Sequence, residues 1–247
     1  MNRSCTPLVF SVVAVMACVS SWASAAPFCW NLPAGQEGSS TDDSLWLAED
    51  GSTGVLPSTG DYAFVRTPGL MMIDDLNPSP WTSTNPTWRF YVGDGDPALG
   101  GYITVPGEGH VRQTGGEVYF NSYMIIGHIS PGLSTYTMEA GLIDGTGSVQ
   151  FRVGELSTAT MDVSGSSAIN VRDVHVGYNV TADAGTNGTL NLRGDSTLTV
   201  SSSYNTPNSG QLHVGLGVGS STTTHRAKGT MNLYDDAVVT TNGATNI

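Results

Sequence analysis

The chain has 247 residues, 39% of them apolar, enough to bury a core and too many for a disordered chain. Only 12% are charged, and Gly, Ser, Thr and Asn are abundant where Lys, Glu and Gln are scarce, so strands and turns are favoured over helices. The formal net charge is −12 and the 9 Lys and Arg are scattered, which leaves no patch to neutralise a phosphate backbone and excludes nucleic acid as a partner.

Residues 1–25 read as an export signal. Arg3 gives a short positive start, Leu8 to Ala17 an apolar run, and Ala23-Ser24-Ala25 a small-residue cleavage site. The run is too short to span a bilayer. Val15-Met16-Ala17-Cys18 also resembles a bacterial lipobox, so the alternative is a lipoprotein anchored at Cys18. Cleavage after Ala25 removes Cys5 and Cys18 and leaves Cys29 alone, without an intrachain disulfide. Either route puts the mature protein outside a bacterial cell or on its surface.

Residues 26–96 hold the tryptophans that remain after cleavage, Trp30, Trp46, Trp81 and Trp88, and most of the prolines. Irregular pieces such as Pro78-Ser79-Pro80-Trp81 alternate with short strand-like runs such as Tyr62-Ala63-Phe64-Val65. We read this stretch as a β-rich cap over the apolar cross-section of the remaining chain. Asp94 and Asp96, in an Asp-Gly-Asp turn, are the candidate metal ligands, and calcium is the one cofactor considered. Asp42-Asp43 and Asp235-Asp236 offer similar oxygens. None matches a calcium-binding loop motif, and solvated turn residues are the plainer reading.

Residues 97–247 repeat. Thr160-Met161-Asp162-Val163, Thr189-Leu190-Asn191-Leu192 and Thr230-Met231-Asn232-Leu233 each lead into a tight turn and a second alternating run. A fainter copy begins at Thr137-Met138, and Tyr102 to Gly107 reads as another. Between copies recurs an apolar-x-apolar-Gly phrase: Ile126-Gly127, Phe151-Arg152-Val153-Gly154, Val174-His175-Val176-Gly177 and Leu212-His213-Val214-Gly215. Period-two alternation buries one face of each run, and runs of four or five residues need neighbours to be stable. Stacked copies supply them, so the expected fold is an all-β, right-handed parallel β-helix. A β-sandwich is the alternative, since it too has many short strands. The last copy, Met231 to Val239, is expected to present an open edge that promotes self-association.

Gln113-Thr114-Gly115-Gly116-Glu117-Val118, Gly188-Thr189-Leu190-Asn191-Leu192 and Gly229-Thr230-Met231-Asn232-Leu233 resemble the Gly-Thr-Leu-x-Val repeats of exported planctomycete-type, PEP-CTERM and autotransporter-passenger-like proteins. Pro57 to Ala63 resembles the Pro-x-x-x-Asp-x-Ala phrase that often precedes them. The resemblance implies a right-handed β-helix at the cell surface. Such proteins commonly finish with a sorting element or barrel, and Thr245-Asn246-Ile247 shows neither, so the sequence is a fragment or anchoring is absent.

No catalytic residue is singled out. His175 and His213 occupy equivalent repeat positions that alternation puts on the solvent side, and an exposed polar ladder is expected there. Arg152, Arg172 and Arg193 recur and could share a face with Asp162 or Asp173, while Lys228 is the sole lysine. Tyr119, Tyr123, Tyr178 and Tyr204 could stack on sugar rings. Ser is abundant but lacks a nucleophile elbow. The expected function is a structural or adhesive surface element whose partners are extracellular polysaccharide or other surface proteins. The alternative is a carbohydrate-active β-helix enzyme, a polysaccharide lyase or hydrolase.

Overall fold

A computed structural model of the chain describes residues 26–76, 78–94, 107–130, 132–145, 150–179, 185–201, 210–217, 227–242 and 245–246. The export signal with Cys18, Asp96, Tyr204 and most of the Tyr102 to Gly107 phrase lie outside them. The described residues are all-β apart from a 3-10 turn at Asp43–Leu45. The strands are β1 (Pro27–Trp30), β2 (Glu37–Ser39), β3 (Trp46–Ala48), β4 (Tyr62–Val65), β5 (Leu70–Ile73), β6 (Thr87–Asp94) and β7 (His110–Gln113). Then come β8 (Glu117–His128), β9 (Ser134–Met138), β10 (Leu142–Gly145), β11 (Gln150–Glu155), β12 (Thr158–Val163), β13 (Ala168–Val171) and β14 (Val174–Asn179). The last are β15 (Thr186–Leu192), β16 (Thr197–Val200), β17 (Leu212–Gly217), β18 (Ala227–Leu233), β19 (Val238–Thr241) and β20 (Thr245–Asn246).

These strands line up in three rows. The first row is a separate sheet, β2-β5-β7-β9-β12-β15-β18. The second runs β8-β10-β13-β16-β19 and the third β1-β4-β6-β8-β11-β14-β17-β20. The long strand β8 joins them, pairing through Glu117 to Tyr119 with β10 and through Tyr123 to His128 with β11. Pairing between named strands is parallel everywhere except β1 with β3, so the antiparallel ladders of a sandwich are missing from the rows. From β9 onward each trio of consecutive strands adds one member to each row.

Register follows from which side chains must point inward. Thr160, Thr189 and Thr230 are Cα partners in turn, so the three clear copies are stacked in phase, with Leu190 between Met161 and Met231. The fainter copy is out of phase by two residues: Thr135, not Thr137, stands beside Thr160. Tyr136 and Met138 thereby take the inward places of Met161 and Val163, and all four are buried.

The apolar-x-apolar-Gly phrase forms the third row. Met124, Phe151, Val174 and Leu212 make one inward column, and Ile126, Val153, Val176 and Val214 the next. Its glycine is required twice over. Gly154 has φ +74°, and a Cβ there would lie 2.6 Å from the Cα of Gly188 in the first row. At this corner two rows meet backbone to backbone.

The composition changes near residue 97, but the sheet does not break there. Val65 pairs with Val92 and Val92 with Ile126, carrying the third row from β4 through β6 into β8. At this end the interior is filled by aromatic rings: Trp30 and Trp46 meet edge-on at 5.4 Å, Trp46 and Trp81 at 5.8 Å, and Trp81 leans on Phe90 at 4.6 Å. At the other end Leu233 and Val238 are half exposed.

Because Leu190 is fully buried between like neighbours, Leu190→Ala should cost about 2–5 kcal/mol in equilibrium urea unfolding. Thr199→Ala, at an outward position of β16, should stay within about 0.5 kcal/mol.

Candidate functional site

The outward face of the third row carries the polar chemistry. Alternation and register place Tyr62, Arg89, Tyr123 and Gln150 in one line across the strands. Phe64, Tyr91, Ile125, Arg152, His175 and His213 form the next line. Beyond the glycine stand Asp94, His128, Glu155 and Tyr178. Neighbouring strands in a sheet lie about 4.8 Å apart, so each side chain touches its counterparts one turn away.

That contact buries groups expected in solvent. His175 is 5% exposed and His213 8%, their rings 5.0 Å apart, with Tyr178 edge-on to His175 at 4.8 Å. The exposed histidine ladder is therefore corrected to a packed one: these outward residues are shielded by Arg152, Tyr178 and each other. Desolvation, helped by the charge of Arg152 and by His213, pushes His175 down to about 3. Desolvation also lowers His213, against the opposing carboxylate of Asp173. Both rings are neutral near pH 7.

Asp94 stands at the end of a strand rather than in a solvated turn, and its oxygens already have partners. It ends β6 with its side chain wholly buried, accepting from Arg66 Nη2 at 2.5 Å on one oxygen and bonding His128 Nδ1 at 2.9 Å with the other. A cation would have to displace the guanidinium that already neutralises it. Asp96, its proposed companion, lies outside the described residues. Among the described residues no group of three or more His, Cys, Asp or Glu is arranged to hold a metal ion.

Arginine and tyrosine interleave above these pairs. The Arg89 guanidinium lies over Tyr62 at 5.2 Å and over Tyr123 at 5.0 Å. Arg152 covers Tyr123 at 5.0 Å and Tyr178 at 4.4 Å, and it donates to Gln150 Oε1 and Glu155 Oε1. Tyr123 and Tyr178 thus carry guanidinium groups rather than bare stacking faces. Tyr119 belongs to the second row beside Asp144. Arg172 and Arg193 do not join Arg152, since Arg172 contacts Asp173 at 3.2 Å and Arg193 lies over Tyr234. Asp162 instead accepts from Asn191, which accepts in turn from Asn232, making an amide ladder on the first row.

Arg89, Tyr91, Tyr123, Ile125, His128, Arg152 and Glu155 surround an open hollow of about 210 Å³. Tyr91 is pushed up to about 12, chiefly by burial and against the pull of Arg89, so its hydroxyl keeps its proton. Cys29, in the same outward layer, packs with Phe64, Tyr91 and Ile125, and burial pushes its thiol up to about 11. It is an inert thiol at neutral pH.

Arg66, Arg89, His128 and Glu155 were not singled out from the sequence. The signal was present in the spacing before the glycines: Arg89 precedes Gly93, Tyr123 precedes Gly127 and Gln150 precedes Gly154 by the same interval, while His128 and Glu155 each come directly after one. No protein-family model, curated protein or solved structure matches the chain.

A pH dependence arises from His175. Its proton affinity is lower folded than unfolded, so between about pH 6.5 and pH 3 the unfolded state binds more protons and stability falls as pH falls. The loss by pH 5 should be about 2 kcal/mol from this residue. Comparing urea midpoints at pH 7.5 and pH 5 should show a smaller drop for His175→Gln than for the parent.

Proposed function

We propose that the chain is an exported parallel β-helix acting at the bacterial cell surface as a structural or adhesive element that meets extracellular polysaccharide. The observation that carries this reading is the three-row stack, to which each trio of strands from β9 onward adds one member per row, with aromatic and polar side chains gathered on the outer face of the third row. A right-handed winding agrees with the strong preference of parallel crossovers. The export signal and the likeness to PEP-CTERM and autotransporter-passenger-like repeats support the surface location.

Binding fits the outer face better than turnover. Glycosidases use two facing carboxylates, and here Asp94 is tied to Arg66 and His128 while Glu155 is tied to Arg152. Lys228, the one lysine and a conceivable proton acceptor, sits in β18 on the first row. The second reading, a polysaccharide lyase or hydrolase, is favoured by the convergence of Arg89, Arg152 and Glu155 on a single hollow.

Expression of the full chain in a Gram-negative host tests the reading. The exported protein should begin at Ala26 by mass spectrometry, sediment with insoluble acidic polysaccharide, and release no unsaturated or reducing ends from it. A first residue of Cys18 bearing lipid would select the anchored form, an uncleaved cytoplasmic chain would overturn export, and product release would select the enzyme.

Self-association through β18 and β19 belongs to the same reading, because Leu233 and Val238 are half exposed there. Sedimentation velocity of the 247-residue chain should show concentration-dependent assembly that Val238→Lys reduces.

A further inference from the structure

We infer that the hollow on the outer face of the third row binds one acidic sugar residue, with the sugar carboxylate on Arg89 and a ring hydroxyl on Glu155. This rests on the surface-polysaccharide reading and gives it a site. Charge is the first constraint. In a chain of net charge −12, Arg112 is committed to Glu139 and Arg152 to Glu155. Arg89 lines the hollow with no carboxylate in ion-pair range among the described residues. Among the described residues its Nη1 reaches the Tyr91 hydroxyl, at 3.3 Å, and its buried Nε has no hydrogen-bond partner.

Tyr62 and Tyr123 hold that guanidinium between their rings, so the side-chain ordering that anion binding requires is already in place. A planar fork carrying one positive charge suits a carboxylate. Across the hollow the Glu155 side chain is 6% exposed, with Oε1 on Arg152 and Oε2 buried without a partner among the described residues. A buried carboxylate oxygen in that state is a costly acceptor, and a hydroxyl donor satisfies it. The site therefore asks for an anion at one wall and a neutral donor at the other.

Size narrows the class further. Pockets for drug-sized ligands run from about 300 to 1,000 Å³, and 210 Å³ admits a single ring. A uronate residue carries both groups on one ring, and the openness of the hollow lets the rest of a polymer continue past it.

The test is calorimetric titration of the folded, signal-cleaved protein with a uronate trisaccharide, the matching neutral trisaccharide and a sulfated one. Uronate should bind, weaken as salt rises, and exceed the neutral sugar; Arg89→Met should weaken it roughly tenfold or more. Wild-type NMR of arginine Nε–Hε signals, which needs no variant to fold, should show the Arg89 signal shifting most on adding uronate. Equal binding of neutral and acidic sugars, sulfate binding in place of uronate, or an unmoved Arg89 signal would overturn the site. If polysaccharide still sediments the protein while Arg89→Met binds uronate as the parent does, the site falls and the surface reading stands. If no acidic polysaccharide is bound at all, both fall.

Discussion

A strand such as β13, four residues long, buries only two side chains and exposes four residues' worth of backbone donors and acceptors. Alone it would gain too little from either to hold its shape. The structure is therefore governed by one requirement: the backbone of each inner strand must be satisfied by the strands on either side of it in its row. Ile169 lies between Ile143 and Leu198 because the hydrogen-bond ladder fixes it there, and the inward column results from that ladder. The corner glycines serve the same end. Gly154 and Gly188, and likewise Gly177 and Gly229, let two rows approach so closely that a side chain on either would strike backbone.

In-phase stacking also dictates what happens outside. Whatever occupies an outward position meets its counterpart about 4.8 Å away, so like charges there would repel and isolated charges would lose water without compensation. The third row resolves this by alternating kinds. Tyr62, Arg89 and Tyr123 succeed one another across β4, β6 and β8, so each guanidinium has a ring above or below it instead of a second cation. Asp94 faces His128 on the adjacent strand and draws Arg66 onto its second oxygen. Where two histidines do stack, as at His175 and His213, burial keeps them neutral.

Much of the first row was legible because its copies share the outward Thr160, Thr189 and Thr230, each followed by an inward Met161, Leu190 or Met231 that sets the phase. The shift at Thr137 was not legible, because a slip of two residues leaves the alternation unchanged: Tyr136 and Met138 face inward in either phase, and only the pairing of Tyr136 with Met161 fixes the register. The site was hidden for a related reason. Arg89 sits in a Trp- and Pro-rich stretch whose composition differs from the repeats, although Phe90-Tyr91-Val92-Gly93 is the same phrase as Phe151-Arg152-Val153-Gly154. Asp94 looked like a turn residue because it precedes a glycine, and only the pairing with His128 reveals it as the end of a strand. Side chains that meet across the strands are marked in the sequence only by their shared spacing from the corner glycines.

Rigidity and charge then combine at a single place. A surface of net charge −12 repels acidic polymers at long range, but over distances beyond about 10 Å that repulsion is screened by ordinary salt. At contact, what matters is the local balance, and around the hollow Asp94 is neutralised by Arg66 and Glu155 by Arg152, leaving Arg89 in excess. The ladder holding Arg89 is anchored to strands whose other faces are the core, so the cation cannot retreat into solvent without unstacking from Tyr62 and Tyr123. The same requirement that strands lean on their neighbours thus fixes, on the outside of an acidic protein, a guanidinium with no carboxylate partner among the described residues.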